Sequence, residues 1–327
     1  MERDNYYDFL RGIAIAMVVG IHTYVDDSMH LSLSLTLRKS LDCAVPLFLA
    51  ISGFFIGKKD FTQNGSYANF LRRQLPRVYV PMLIWSMPWV LLAVKNGDGI
   101  FKTLALSMVG GMCIFYFITL IIQFYILTPA IQKINIKHGG GYSVIITTIG
   151  VCLFDYILKI RGVELGLLLS CGPFCVWMVF YVMGVLKAQG LKLPFETAHP
   201  LRLAMAAIAL CSLQIYIFYL WNGSVVHGTR LFAYIYSYFI IMWLLSDNAR
   251  FVYNRVKDSR LTKMIVNIGR ISFFIYLTHI LIIILVRKLA GTMPWVIRWA
   301  VCMALSTLFA ICCQKTCPDR LRKFVGF

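Results

Sequence analysis

The sequence predicts an all-α integral membrane protein with about ten transmembrane helices in one bundle. Hydrophobic residues make up 59% of the 327 residues and charged residues only 14%, whereas soluble domains have about 45–50% and about 25%. Apolar stretches follow one another along the whole chain, more than a water-facing surface could hide. We therefore expect one membrane domain over residues 1–327.

Each apolar stretch is close to the roughly 20 residues that a helix needs to cross a bilayer. The candidate spans are residues 6–26, 41–57, 78–95, 104–131, 142–160, 164–186, 201–220, 229–247, 264–286 and 293–314. The second span is short and contains Pro46 and Gly53, so we expect a broken or tilted helix inside the bundle. Asp8 and His22 make the first stretch a retained span rather than a cleaved signal peptide.

The basic residues lie in the short connections between these spans. This pattern indicates membrane loops rather than nucleic-acid binding, despite the net charge of +18. Alternate connections are richer in basic residues, and they contain Lys58, Lys59, Arg72, Arg73 and Arg77; Lys133 and Lys137; Lys187 and Lys192; and Arg250, Arg255, Lys257, Arg260 and Lys263. The positive-inside rule places these connections and both termini in the cytoplasm, as expected for a multi-pass protein of the inner (cytoplasmic) membrane.

The ten cysteines indicate neither a disulfide framework nor a metal site. Most of them lie within apolar stretches, where cysteine acts as a small hydrophobic residue. The close pairs, Cys171 with Cys175 and Cys313 with Cys317, have no histidine-rich partner segment. We therefore expect no metal cofactor.

The first span, DFLRGIAIAMVVGIHTY, contains three ionisable residues. Arg11 and His22 are 11 residues apart, which places them on one helix face, about 16 Å apart along the axis. Asp8 lies one turn before Arg11, close enough for an ion pair. Ionisable groups within a membrane usually face a partner or a wet cavity, so this alignment indicates a functional site. Alternatively, Arg11 anchors the helix at the interface and His22 merely ends the span.

A basic cluster precedes the third span in FLRRQLPRVYVPMLIW. Arg72, Arg73 and Arg77 provide guanidinium groups that suit the phosphates of a ligand. Pro76 and Pro81 are predicted to break the regular helix here. Such clusters also serve as topology signals or as anchors for lipid head groups.

A polar stripe marks the ninth span, IGRISFFIYLTHILI. Ser272, Tyr276 and His279 are spaced i, i+4 and i+7, so they share one helix face, as expected for the bundle interior. They could contact a substrate or form a hydrogen-bonding seam between helices. A weaker seam in the fourth span consists of Tyr116, Thr119, Gln123 and Tyr125.

These motifs resemble those of the acyltransferase-3 family of membrane acyltransferases. The opening DFLRGIAIAMVVGIH is similar to the family's first motif, an arginine and a histidine separated by ten residues, here Arg11 and His22. Five later segments also resemble the family, in the expected order: VPLFLAISGFFIG (45–57), RRQLPRVYVP (72–81), FYFITLIIQFYILTP (115–129), VFYVMGVL (179–186) and GRISFFIYLTH (269–279).

The resemblance implies an O-acyltransferase of about ten core helices. Its donor would be an acyl-CoA, usually acetyl-CoA, and its acceptor a hydroxyl of a carbohydrate or another cell-envelope molecule. His22 is then the natural general base, because the pKa of free histidine is near neutrality. Arg11 with Asp8 would orient the site or hold part of the coenzyme. Direct transfer and an acyl-His22 intermediate both remain open.

The other motif residues receive supporting roles under the same resemblance. The phosphates of coenzyme A would bind the basic cluster, Arg72, Arg73 and Arg77. The acceptor or the developing oxyanion would be supported by the polar stripe, Ser272, Tyr276 and His279.

Two other classes of protein also fit the composition. A transporter or flippase for a glycan or lipid-linked substrate would contain broken helices and intramembrane polar groups, but the chain shows no internal two-fold repeat. A membrane sensor or scaffold would explain the hydrophobicity but not the alignment of Arg11 with His22. We therefore expect an acyl-CoA, a hydroxyl acceptor and membrane lipid as partners, and no nucleic acid.

Overall fold

A computed structural model describes residues 4–24, 33–63, 65–136, 140–163, 165–222, 230–291 and 293–327, and the secondary structure of these residues is entirely helical. The helices of the first half are α1 (Asn5–Thr23), α2 (Leu33–Ser40), α3 (Ala44–Gly57), α4 (Ser66–Lys95), α5 (Ile100–Met108), α6 (Tyr116–Ile136), α7 (Gly140–Ile160) and α8 (Leu167–Cys171). Those of the second half are α9 (Phe174–Ala188), α10 (Pro200–Asn222), α11 (Arg230–Leu244), α12 (Asp247–Val256), α13 (Arg260–Arg270), α14 (Ser272–Ala290), α15 (Trp295–Thr316) and α16 (Asp319–Val325).

Seven stretches of the described residues are long and apolar enough to cross a membrane. They are Leu35–Gly57, Ser66–Lys95, Gly141–Leu158, Leu167–Ala188, Pro200–Ile217, Ser272–Ala290 and Trp295–Thr316. The prediction of a multi-pass membrane protein is thereby confirmed, and the count of about ten spans is confirmed for seven. The three remaining predicted spans coincide with α1, α6 and α11. Two of these helices differ from the seven for a plain reason: polar residues lower the hydropathy of α1, and α11 has only 15 residues.

The ends of three predicted spans lie outside the described residues: 25–26, 164 and 229. Three other predicted spans are each divided between two helices. The span 104–131 is divided between α5 and α6, 164–186 between α8 and α9, and 264–286 between α13 and α14. The last division matters for the site, because Ile271 separates the amphipathic α13 from the apolar α14.

The helices differ in how much of their apolar surface the protein itself covers. In the stretch containing α9, 67% of the apolar window is buried, against 17% in α7. Apolar side chains that the protein leaves uncovered are stable in lipid but not in water. The structure thus has an inner group of helices, with α3 and α9 in close contact, surrounded by helices that face outward.

The second predicted span is buried as expected, but its predicted interruption at Pro46 and Gly53 is wrong. Helix α3 runs unbroken from Ala44 to Gly57, and a 3₁₀ turn over Leu41–Cys43 precedes it. Pro46 lies in the first turn of α3, where a proline removes no helical hydrogen bond. Gly53 faces the backbone of Tyr181 in α9, so it allows two helices to approach closely rather than breaking one.

The predicted break at Pro76 and Pro81 is also wrong. Helix α4 continues through both residues and through Pro88, over 30 residues in all. Proline is tolerated in membrane helices, because neighbouring groups and small adjustments satisfy the backbone groups that it frees. Arg77 therefore lies on the same continuous helix as the membrane-spanning part of α4.

Substituting Gly184 tests the close contact of α3 with α9. A Cβ atom at Gly184 would meet the Ala50 carbonyl oxygen and the Phe54 backbone nitrogen, neither of which can move without shifting α3. We expect Gly184→Ala to lower the free energy of unfolding by about 1–3 kcal/mol, as overpacking does. In Gly150→Ala the new Cβ atom on α7 enters open space. The thermal midpoint of unfolding should therefore stay the same or rise. Equal thermal midpoints for both variants in detergent would contradict this packing.

Candidate functional site

Two cavities lie at the two ends of α1. The first, here called the Arg11 cavity, has a volume of about 380 Å³ and is lined by residues of α1, α3, α4, α6 and α14. The second, the His22 cavity, has about 350 Å³ and is lined by α1, α3, α6 and α11 among others. The first span thus places Arg11 and His22 in separate cavities, as their separation along the helix predicts.

A buried carboxylate organises the Arg11 end of α1. The Asp8 side chain is 1% exposed, and Arg11 Nη1 donates a hydrogen bond to its Oδ1 at 3.1 Å. Arg270 Nε lies 3.7 Å from the other oxygen, Oδ2. The predicted ion pair of Asp8 with Arg11 is confirmed, and a second guanidinium joins it. Together the three groups leave one net positive charge beside the Arg11 cavity.

Arg270 reaches Asp8 because α13 packs directly against α1. At Gly269 a side chain would overlap the backbone of Asp8, so only glycine permits this approach. Arg270 also donates from Nη2 to Asn5 Oδ1 at 2.9 Å, which fixes its direction. Arg270 is not among the site residues predicted from the sequence. Its position two residues before Ser272, at the start of the polar stripe, is the signal that could have found it.

The basic cluster is only partly brought to the Arg11 cavity. Arg77 lines the cavity, whereas Arg72 and Arg73 are exposed on α4 and are not among its lining residues. Lys59 and Gln74 line it as well. From the sequence, Lys59 is interpreted only as a topology signal, because nothing in its local sequence distinguishes it from Lys58.

Charged side chains from the end of α2 and from the 3₁₀ turn line part of the His22 cavity. Asp42 accepts a hydrogen bond from Arg38 Nη1 at 3.1 Å, and Lys39 Nζ lies 3.9 Å from its other oxygen. Aromatic side chains, including Trp177 and Tyr234, line the interior. A polar molecule with a flat apolar face would suit this combination. Arg38 and Lys39 are not among the site residues predicted from the sequence, although both line this cavity.

His22 lies beside a second histidine from α14, with the ring centroids of His22 and His279 5.4 Å apart. His279 Nδ1 is 2.9 Å from the carbonyl oxygen of Tyr276 and 3.1 Å from that of Ile275. Because carbonyl oxygens only accept, Nδ1 carries the hydrogen and Nε2 of the neutral ring carries the lone pair. Nε2 is buried and has no hydrogen-bond partner among the described residues.

The polar stripe of α14 joins the two cavities. Ser272 lines the Arg11 cavity, Tyr276 lines both, and His279 adjoins His22. The Tyr276 hydroxyl donates to the Ile114 carbonyl oxygen at 2.5 Å, so for this residue the structure supports the hydrogen-bonding seam. Of the weaker seam, Tyr125 lines the Arg11 cavity and Tyr116 the His22 cavity.

Helix α15 holds α1 along the side that faces it. Trp299 Nε1 donates to the Ala16 carbonyl oxygen at 2.8 Å and Trp295 Nε1 to that of Gly20 at 2.9 Å. Arg298 Nη1 reaches the Thr23 carbonyl oxygen at 3.3 Å, at the negative end of the α1 dipole. These contacts fix the rotation of α1 about its axis, and with it the direction of His22.

The described residues contain no group of three or more His, Cys, Asp or Glu side chains that could hold a metal ion. The arrangement instead offers cations at one end of α1 and a pair of histidines at the other. Cations can bind an anionic ligand, and a histidine can exchange a proton.

Comparison with known proteins identifies the family. The chain matches the acyltransferase domain of the acyltransferase-3 family over residues 4–315. Neither the curated proteins nor the solved structures compared with the chain gave a match. The family match covers nearly the whole chain, and it contains all the motif residues discussed above. The chain therefore belongs to the acyltransferase-3 family and is a membrane acyltransferase.

Proposed function

We propose that the protein is an O-acetyltransferase that moves an acetyl group from acetyl-CoA to a hydroxyl of a carbohydrate or another cell-envelope acceptor. The observation that carries this proposal is the arrangement of the two cavities along α1. A cationic cavity suits an anionic donor, and a histidine-containing cavity suits a hydroxyl acceptor. The two cavities meet at Phe117 and Tyr276, which line both of them.

Coenzyme A is the donor group that best fits the Arg11 cavity. Its phosphates would bind Lys59 and Arg77, and guanidinium groups such as that of Arg77 bind phosphate through paired hydrogen bonds. Arg270 and Arg11 stay beside Asp8 and supply positive charge further in. Apolar residues such as Ile51 line the path onward and suit the pantetheine arm. Arg72 and Arg73 lie outside this path, which removes them from our proposed coenzyme site.

By the positive-inside rule, the Arg11 cavity lies at the cytoplasmic end of the bundle, where acetyl-CoA is available. Lys59, Arg77 and Arg270 all lie near the connections that the rule assigns to the cytoplasm. The His22 cavity then opens toward the opposite side of the inner membrane. The acceptor would enter there, so donor and acceptor meet within the bundle.

His22 acts as the general base in this proposal. It removes the proton from the acceptor hydroxyl as the hydroxyl oxygen attacks the thioester carbonyl carbon. The carbon–sulfur bond then breaks, coenzyme A leaves as a thiolate, and the proton passes from His22 to that sulfur. The products are an acetyl ester and coenzyme A. An acetyl-His22 intermediate would divide the same transfer into two steps.

His279 serves as the positioning residue for His22. Its Nε2 lone pair is buried beside the His22 ring, where it can accept a hydrogen bond from one His22 nitrogen. This leaves the other His22 nitrogen free to accept the hydroxyl proton, which is the tautomer that a general base needs. In this arrangement neither Tyr276, whose hydroxyl is engaged, nor His279 donates to the oxyanion.

Replacing His22 tests the base directly. We expect His22→Ala to abolish transfer from radiolabelled acetyl-CoA to the cell-envelope fraction, because the base that takes the hydroxyl proton is removed. Binding of coenzyme A, measured by titration calorimetry, should survive, since the Arg11 cavity is unchanged. The control is His199→Ala, which alters an exposed histidine before α10. Full transfer by His22→Ala would exclude the mechanism.

Replacing Arg77 tests the donor site, with Arg72 as a matched control on the same helix. Arg77→Ala should weaken acetyl-CoA binding about 10- to 100-fold, since a charge-assisted hydrogen bond contributes about 1.5–3 kcal/mol. Arg72→Ala removes the same charge away from the cavity and should change the dissociation constant less than about threefold. Equal losses in both variants would show that general positive charge, rather than this cavity, attracts the coenzyme.

A transporter or flippase is the alternative from another class, since intramembrane polar groups also line transport paths. Family membership favours the acyltransferase. Acetyl-CoA should raise the thermal midpoint of the protein in detergent, because a ligand that binds only the folded state stabilises it. A protein that transports a glycan or lipid-linked substrate would show no such shift, and that result would favour the alternative.

A further inference from the structure

Phe117 and Tyr276 are the described residues that line both cavities. Their ring centroids are 5.5 Å apart, with the planes tilted by 60°. We infer that this pair forms the partition at which the thioester is held, and that the Phe117 ring limits the length of the acyl chain. The inference rests on the proposed function, because it assumes a coenzyme in one cavity and an acceptor in the other.

The two sides of the partition differ in how firmly they are held. Tyr276 is buried, its hydroxyl donates to the Ile114 carbonyl oxygen, and its ring centroid lies 6.5 Å from that of Phe115. Phe117 has no hydrogen-bonding group and is only partly buried. Its ring contacts Tyr276 and Phe48, and the Phe48 ring centroid lies 6.1 Å away. Phe117 is therefore the side that a substitution can remove while Tyr276 stays in place.

The position of the partition determines where acyl carbons must lie. Phosphates held by Lys59 and Arg77 place the pantetheine arm along the Arg11 cavity. A hydroxyl activated by His22 approaches from the opposite cavity. The thioester carbon must therefore lie between these two cavities, and any further acyl carbons must fit beside the Phe117 and Tyr276 rings. With their centroids 5.5 Å apart the two rings are in contact, so a short acyl chain can lie against them, whereas a long chain would need the space that the Phe117 ring fills.

Binding of coenzyme A thioethers measures this selection without needing the acceptor. We would determine the affinities of S-ethyl-, S-butyl- and S-octyl-CoA for the full-length protein in detergent by titration calorimetry. The wild type should bind S-ethyl-CoA more tightly than S-octyl-CoA. In Phe117→Ala the ratio of the two affinities should shift at least about tenfold toward S-octyl-CoA, since a few methylenes in an apolar pocket carry that much discrimination.

Phe55 provides the matched control, because it lines the Arg11 cavity but not the His22 cavity. Phe55→Ala should change all three affinities by a similar factor and leave the chain-length ratio as in the wild type. Phe117→Leu, a smaller change within the same position, should shift the ratio in the same direction as Phe117→Ala. The leucine variant keeps the test available if Phe117→Ala does not fold.

The possible failures are distinguishable. A wild type that binds none of the three thioethers would contradict the proposed function itself. A wild type that prefers S-ethyl-CoA, with the same preference in both Phe117 variants, would overturn the partition and leave the proposed function standing. A wild type that binds all three equally would overturn it as well.

Discussion

A polar side chain inside a membrane protein is stable only where another polar group or a wet cavity meets it, and α1 must satisfy this condition at both of its ends. Asp8 is buried between Arg11 and Arg270 at one end. At the other end, His22 faces a cavity and the ring of His279. The neighbouring helices α13 and α14 supply Arg270 and His279, so part of the packing around α1 follows from its polar residues.

This arrangement explains how one helix can serve two parts of a transfer reaction. Residues 11 apart in a helix share a face but differ in depth by about 16 Å. Arg11 therefore belongs to a cationic cavity and His22 to a separate cavity, with Phe117 and Tyr276 between them. Under the proposed function, an anionic donor and a hydroxyl acceptor would stay apart until they meet at these two residues. The helices that line the cavities would then determine which acyl group and which acceptor can react.

The sequence predicted this class of fold because apolar length and composition are local properties, and it predicted the face shared by Arg11 and His22 because helical periodicity is local too. The sequence could not predict which residues from different helices the packing brings together. Arg270 contacts Asp8 only because Gly269 lets α13 touch α1. The predicted break at Pro76 and Pro81 was wrong because the surroundings in a bundle decide whether a helix continues past a proline. Arg72 and Arg73 were grouped with Arg77 by proximity in sequence, but only Arg77 lines the cavity.

The central claim is that the donor and acceptor occupy different cavities and meet at the partition between them. An experimental structure with a bound, non-transferable acetyl-CoA thioether would test it most directly. The account predicts the phosphates beside Lys59 and Arg77, the pantetheine arm along the Arg11 cavity, and the ethyl group against the Phe117 and Tyr276 rings on the side toward His22. A coenzyme whose phosphates lie in the His22 cavity, or whose thioether ends far from Phe117, would contradict the account.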